Sequence, residues 1–125
     1  SIKNENTIIF HNSNDKSKIK LLKKRGAILI KQSTDKYKNL DLKKILKELY
    51  KMEIRNLLVE GGDILTKNFL QKKLFNEFYM FRSSKNLSKN KKHVNFTSFS
   101  ILNTKYNKHK INSKLATDKL TIYKN

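Results

Sequence analysis

The sequence predicts an α/β fold: a mostly parallel sheet flanked by helices, with antiparallel strands at the C-terminal end. Three observations carry that prediction. Short apolar runs of strand length alternate with segments whose apolar positions recur at helical spacing. Proline is absent, so none of these runs contains a proline breaker. After Leu87 the chain turns polar and rich in Lys and Asn, a pattern that suits edge strands better than further crossovers.

Thr7 to Phe10 (TIIF) is the first strand run. Lys16 to Arg25 follows, with Ile19, Leu22 and Lys23 at helical spacing and Gly26 as the helix stop. Ala27 to Ile30 (AILI) reads as a buried strand, and Ser33 to Leu40 as a polar connection rich in turn formers. Asp41 stands where it can cap a helix whose Leu42, Ile45, Leu46 and Leu49 recur at i, i+3, i+4 and i+7, with lysines on the opposite face. Past the Lys51 to Arg55 turn, Asn56 to Glu60 (NLLVE) reads as a third strand. Asp63 to Lys72 reads as a helix with Ile64, Leu65 and Phe69 facing inward. Phe75 to Phe81 (FNEFYMF) is an aromatic strand. Helices between such strands imply right-handed crossovers. The segments His93 to Leu102, Lys105 to Ile111 and Lys119 to Tyr123 are expected to be antiparallel strands closing the sheet edge.

A chain of 125 residues has the size of one domain. Its 37% apolar content, with 7 Phe and 5 Tyr, supplies a modest core despite a mean hydropathy of -0.72. The absence of cysteine excludes disulfide scaffolds, thiolate metal sites and cysteine nucleophiles. No apolar run approaches the roughly 20 residues that span a bilayer, and Ser1 to Phe10 lacks a signal-peptide pattern. A reducing, cytoplasmic location is the expectation, with no membrane partner. His11, His93 and His109 share no motif, read as surface residues, and give no metal site.

The formal charge of +19 invites a polyanion as partner. Its make-up argues otherwise. Of 29 basic residues, only Arg25, Arg55 and Arg82 carry the guanidinium fork that specific nucleic-acid readers favour. Lys, Asn and Ile share A/T-rich codons, so a coding bias accounts for the composition without a binding function. A Lys-rich nucleic-acid-binding module stays open as an alternative. It would use Lys89, Lys91, Lys92 and His93 on phosphates and Phe96 and Phe99 on bases, although strand alternation explains those Phe residues equally well.

The chemistry concentrates at Val59-Glu60-Gly61-Gly62-Asp63. The chain has only 3 glycines, and two of them stand where an apolar run ends and a helix begins. There glycine allows a sharp turn and a close approach, while the amides and partial charge of the helix start favour a phosphate. A tight turn without a ligand is the competing reading. The GxGxxG and GxxxxGK fingerprints are both missing, so a phosphate site here is neither a Rossmann site nor a P-loop.

Leu57-Leu58-Val59-Glu60-Gly61-Gly62, followed by Leu65, Phe69-Leu70 and Leu74-Phe75-Asn76-Glu77-Phe78, resembles the reductase domain of the bifunctional riboflavin-biosynthesis deaminase/reductase. Arg25 to Ile30 and the helix from Asp41 to Tyr50 fall in the family's order. The resemblance therefore runs over roughly residues 7 to 88 and extends weakly to the final strand. The chain departs from the pattern at Ser83-Ser84-Lys85 and Ser88, where the family carries Ala-Pro-Lys and Gly.

That resemblance implies a dihydrofolate-reductase-like fold, NADPH as cofactor, and reduction of the ribosyl group of 5-amino-6-(5-phosphoribosylamino)uracil to ribityl. It implies that Glu60 contacts the phosphoribosylaminopyrimidine substrate. It also implies that Gly61, Gly62, Asp63, Ile64, Leu65, Thr66, Lys67 and Asn68 line the NADPH site, with Gly61 giving the turn its freedom. No catalytic residue is assigned. The family's reductase domain begins upstream of anything matching Ser1 to Phe10, and the deaminase signatures His-x-Glu and Pro-Cys-x-x-Cys are missing. Residues 1–125 are thus expected to be the C-terminal part of a reductase domain, not competent alone, from a parent that forms a homodimer. An inactive relative that keeps the fold without the chemistry is the third alternative.

Overall fold

A computed structural model describes residues 7–85, 96–111 and 118–125. The chain forms two compact units, Ser1–Leu57 and Leu58–Asn125.

In the first unit, β1 (Ile8–His11) and β2 (Ile28–Lys31) pair in parallel, Ile8 opposite Ile28 and Phe10 opposite Ile30. Between them runs α1 (Lys16–Lys24), capped by Asp15, whose carboxylate accepts from the Lys18 amide at 2.9 Å. Gly26, at φ 86°, ends α1. Its N–H reaches the Lys23 carbonyl at 2.9 Å and the Ala27 N–H reaches that of Leu22 at 3.2 Å, a Schellman pair. In α2 (Leu42–Lys51), Asp41 accepts from the amides of Lys43 and Lys44 at 3.1 and 3.4 Å. Leu42 is buried and Ile45, Leu46 and Leu49 are half-buried, the face that the spacing predicts.

Two expectations fail here. The strand at Ala27 to Ile30 forms, as Ile28–Lys31, but only Ala27 before it is buried: Ile28 is exposed, and Leu29 and Ile30 are half-buried. A two-stranded sheet leaves each strand an open edge. The third strand, at Asn56 to Glu60, does not form; this stretch is irregular, with Leu58 81% exposed. An apolar run becomes a strand only where a neighbour completes its hydrogen-bond ladder, and no described strand pairs with this one. Among the described residues the mostly parallel sheet is therefore absent, and parallel pairing is confined to β1 and β2.

The second unit contains α3 (Asp63–Gln71), β3 (Glu77–Arg82), α4 (Phe99–Lys105), β4 (Asn107–Ile111) and β5 (Lys119–Lys124). The strands form an antiparallel sheet in the order β3-β5-β4, with Phe78 opposite Tyr123 and Arg82 opposite Lys119. Phe78 and Met80 share a face of β3 and pack with Leu70, Leu102 and Tyr123, which are fully buried. The Tyr106 hydroxyl donates to the Leu70 carbonyl at 2.7 Å, and that of Tyr123 donates to Asn103 Oδ1 at 3.1 Å, so both aromatic cores keep a polar partner.

The antiparallel C-terminal strands form as predicted in β4 and β5. The strand expected over His93 to Leu102 does not. Residues 93–95 and the Lys89, Lys91, Lys92 and His93 cluster lie outside the described residues, and Phe99 to Lys105 is helical. In a short apolar run the two periods overlap, and Phe99 and Leu102 sit at i, i+3 as well as in an alternating stretch. Helix α3 also turns otherwise than expected. Ile64 and Leu65 are exposed, while Phe69, as expected, and Leu70 face inward. No described helix is long and apolar enough to cross a membrane.

Candidate active site

The two glycines before α3 serve different ends. Gly62 is the N-cap, at φ -72° and ψ 175°, a conformation open to any residue, and no side chain caps the helix start. A Cβ built on Gly62 meets nothing within 4 Å. A Cβ on Gly61 would lie 2.7 Å from Leu65 Cδ2 and 3.2 Å from Leu65 Cβ. Glycine at 61 thus lets the turn pass close to Leu65, whose side chain would have to shift to admit a Cβ. The expectation that it supplies turn freedom is corrected, since Gly26 is the glycine with positive φ.

Asp63, the first residue of α3, lies where the helix dipole favours a carboxylate. Both of its oxygens are engaged. Oδ1 accepts from the Thr97 amide at 3.0 Å and from Ser98 Oγ at 3.4 Å, and Oδ2 accepts from Thr97 Oγ1 at 2.5 Å. These bonds, the Thr97 hydroxyl foremost, hold the Asp63 carboxyl below the usual carboxylate range, against a smaller opposing effect of desolvation.

An open groove of about 480 Å³ runs between the start of α3 and β3. Gly61, Asp63 and Thr66 form one wall, and Phe78, Met80 and Arg82 belong to the other. Tyr79 and Phe81 of the same strand also line it, as do Phe96 and Phe99. The Phe78 and Phe96 rings stack with centroids 6.3 Å apart at an interplanar angle of 17°, and the Arg82 guanidinium lies 4.8 Å from the centre of the Phe99 ring.

Of the residues predicted for the cofactor, Gly61, Asp63 and Thr66 reach this groove and Gly62 stands at the open helix start beside it. Leu65 is turned onto Gly61, Ile64 and Lys67 are exposed, and Asn68 donates from Nδ2 to the Ile64 carbonyl at 3.0 Å. Glu60 is exposed and outside the groove lining. A contiguous helical stretch cannot face a single ligand; the i, i+3 pair Asp63 and Thr66 can. Sequence reasoning missed the opposite wall. Its signals were the aromatic run at Phe75 to Phe81, read only as a strand, and Arg82, a rare Arg in a Lys-rich chain.

An aromatic wall, an uncapped helix start with open space at Gly62, and a guanidinium together suit a ligand that joins a planar ring to phosphate. The residues present thus fit part of a dinucleotide cofactor. The chain is of the mixed α/β class, and comparison with known families narrows it. The chain matches the RibD C-terminal domain over residues 2–114 and belongs to that family, the reductase domain of the bifunctional riboflavin-biosynthesis deaminase/reductase. Its role at the level of the family is that of an oxidoreductase, a pyrimidine reductase of riboflavin biosynthesis. No curated protein matches the chain.

Proposed function

We propose that the chain serves the NADPH-dependent reduction of 5-amino-6-(5-phosphoribosylamino)uracil, converting its ribosyl group to ribityl on a dihydrofolate-reductase-like framework. The observation that carries this reading is the groove at the uncapped start of α3, in a chain of this family. Amides of Asp63, Ile64 and Leu65 offer donors to a phosphate, and the open space at Gly62 lets it approach. Thr66 adds a hydroxyl on the groove side. Phe78 and Phe96 present an aromatic wall against which a planar ring can pack. Lys67 and Asn68 extend the helix bordering this site, and Glu60 accepts hydrogen bonds from ribose hydroxyls of the substrate. When bound, NADPH supplies the hydride.

The test is a titration of NADPH onto the 125-residue chain at about physiological salt, with NADH and a short DNA duplex as controls. Selective NADPH binding supports the reading. Equal, salt-sensitive binding of all three ligands would overturn it in favour of a polycation.

A further inference from the structure

The two ends of the β3 and β5 pairing are charged in opposite ways. At one end Glu77 stands opposite Lys124, and the two form an ion pair at 3.1 Å. At the other end Arg82 stands opposite Lys119, two like charges on the same face of the sheet. Directly opposed like charges destabilise an antiparallel pair unless something compensates them. Among the described residues no carboxylate pairs with Arg82. Asp63, which lines the same groove, spends its oxygens on Thr97 and Ser98. Asp118, next to Lys119, accepts from the Ser84 amide at 3.3 Å.

The guanidinium is also held in place. It lies over the Phe99 ring at 4.8 Å, so part of the side-chain entropy that an anion would otherwise cost on binding is already lost. Arg82 follows Phe78 and Met80 on the core-facing side of β3, and both of these also line the groove. A positive end, preorganised by stacking and adjoining an aromatic wall, suits a doubly charged oxyanion attached to a planar or ribosyl body. A guanidinium meets a phosphate through paired N–H donors, and a nearby ammonium adds a point charge.

We propose that Arg82, supported by Lys119 opposite it, receives a phosphate monoester of the ligand that occupies this groove. The identity of that ligand rests on the reductase reading, in which two candidates carry such a group: NADPH on its ribose 2′ position and the substrate on its ribose 5′ position. Arg82 is then the residue that tells the phosphorylated ligand from its unphosphorylated counterpart.

The experiment measures binding to the 125-residue chain of two ligand pairs, NADPH with NADH and ribose 5-phosphate with ribose. Wild type is compared with Arg82→Gln, Lys119→Gln and, as a remote loss of one positive charge, Lys16→Gln. Gln keeps a polar chain of similar reach at 82, and circular dichroism checks that each variant folds. The expected result is that wild type prefers the phosphorylated member of one pair. Arg82→Gln lowers that preference about tenfold or more, Lys119→Gln lowers it less, and Lys16→Gln leaves it alone. A loss confined to the NADPH pair assigns the cofactor phosphate, and one confined to ribose 5-phosphate assigns that of the substrate. If wild type binds NADPH selectively and Arg82→Gln keeps the full preference, this proposal falls while the reductase reading stands. If NADPH and NADH bind equally or not at all, the reductase reading falls. The proposal then stands only if ribose 5-phosphate is preferred to ribose in an Arg82-dependent way, and falls otherwise.

Discussion

Asp63 holds Thr97 twice, accepting its backbone N–H at 3.0 Å and its hydroxyl at 2.5 Å. The first residue of α3 is thereby tied to the segment that leads into α4, and one wall of the groove to another. Asp63→Ala removes every acceptor and is expected to lower the melting temperature. Asp63→Asn keeps one oxygen and is expected to lower it less. Thermal unfolding of the two variants side by side checks the order.

The same carboxylate makes stability depend on acid. Asp63 is held low by Thr97 and Ser98, and Glu77 by the Tyr79 hydroxyl first and Lys124 second. A carboxyl whose folded value is depressed contributes fully above its unfolded value, about 4, and loses that contribution as pH falls through the lower folded value. Melting temperature is therefore expected to fall on acidification below about pH 4, and Asp63→Asn and Glu77→Gln should each flatten the decline. Glu77 is exposed, so added salt should shrink the Lys124 part of its effect.

Helices α2 and α3 end in the same Schellman geometry as α1, but without glycine. Glu53 at φ 64° and Lys73 at φ 53° occupy the left-handed position, with Ile54 N–H on the Leu49 carbonyl and Leu74 N–H on that of Phe69, 3.1 and 3.0 Å. Relief of left-handed strain outweighs the added freedom of glycine in the unfolded chain. Lys73→Gly and Glu53→Gly are each expected to stabilise by roughly 0.5–1 kcal/mol. Denaturant titration should show higher midpoints; lower midpoints would mean that the side chains do work unrelated to the turn.

Leu102 has no solvent exposure and packs with Leu70 and Tyr123. Leu102→Ala is expected to cost about 2–5 kcal/mol, the range for a buried leucine replaced by alanine. In a domain of marginal stability that loss should unfold much of the population, visible in the near-ultraviolet signal of Tyr123 and its aromatic neighbours.

Gly61 and Gly62 should separate under the same substitution. Gly61→Val forces a side chain into Leu65 and is expected to destabilise the start of α3. Gly62→Val meets nothing within 4 Å, so it is expected to fold and to lose NADPH affinity, because the branched side chain takes the space a phosphate needs. Undiminished NADPH affinity in a folded Gly62→Val variant would count against the cofactor assignment.

By itself the sequence determined the features governed by neighbours along the chain. The Asp41 cap, the apolar face of α2, the Gly26 stop and the Phe75 to Phe81 strand run each depend on a few adjacent side chains and backbone torsions, so a local pattern suffices. The glycine pair likewise stands out in the sequence, and Gly61 lines the groove. What it did not determine depended on distant partners. Asn56 to Glu60 has strand composition but no described neighbour to complete its ladder, and Phe99 to Lys105 becomes helical because Leu102 there meets Leu70 and Tyr123. Only the tertiary structure set Arg82 across a groove from Thr66 and opposite Lys119, for a groove is lined by residues adjacent in space and its charge is the sum of strands that the chain order keeps apart.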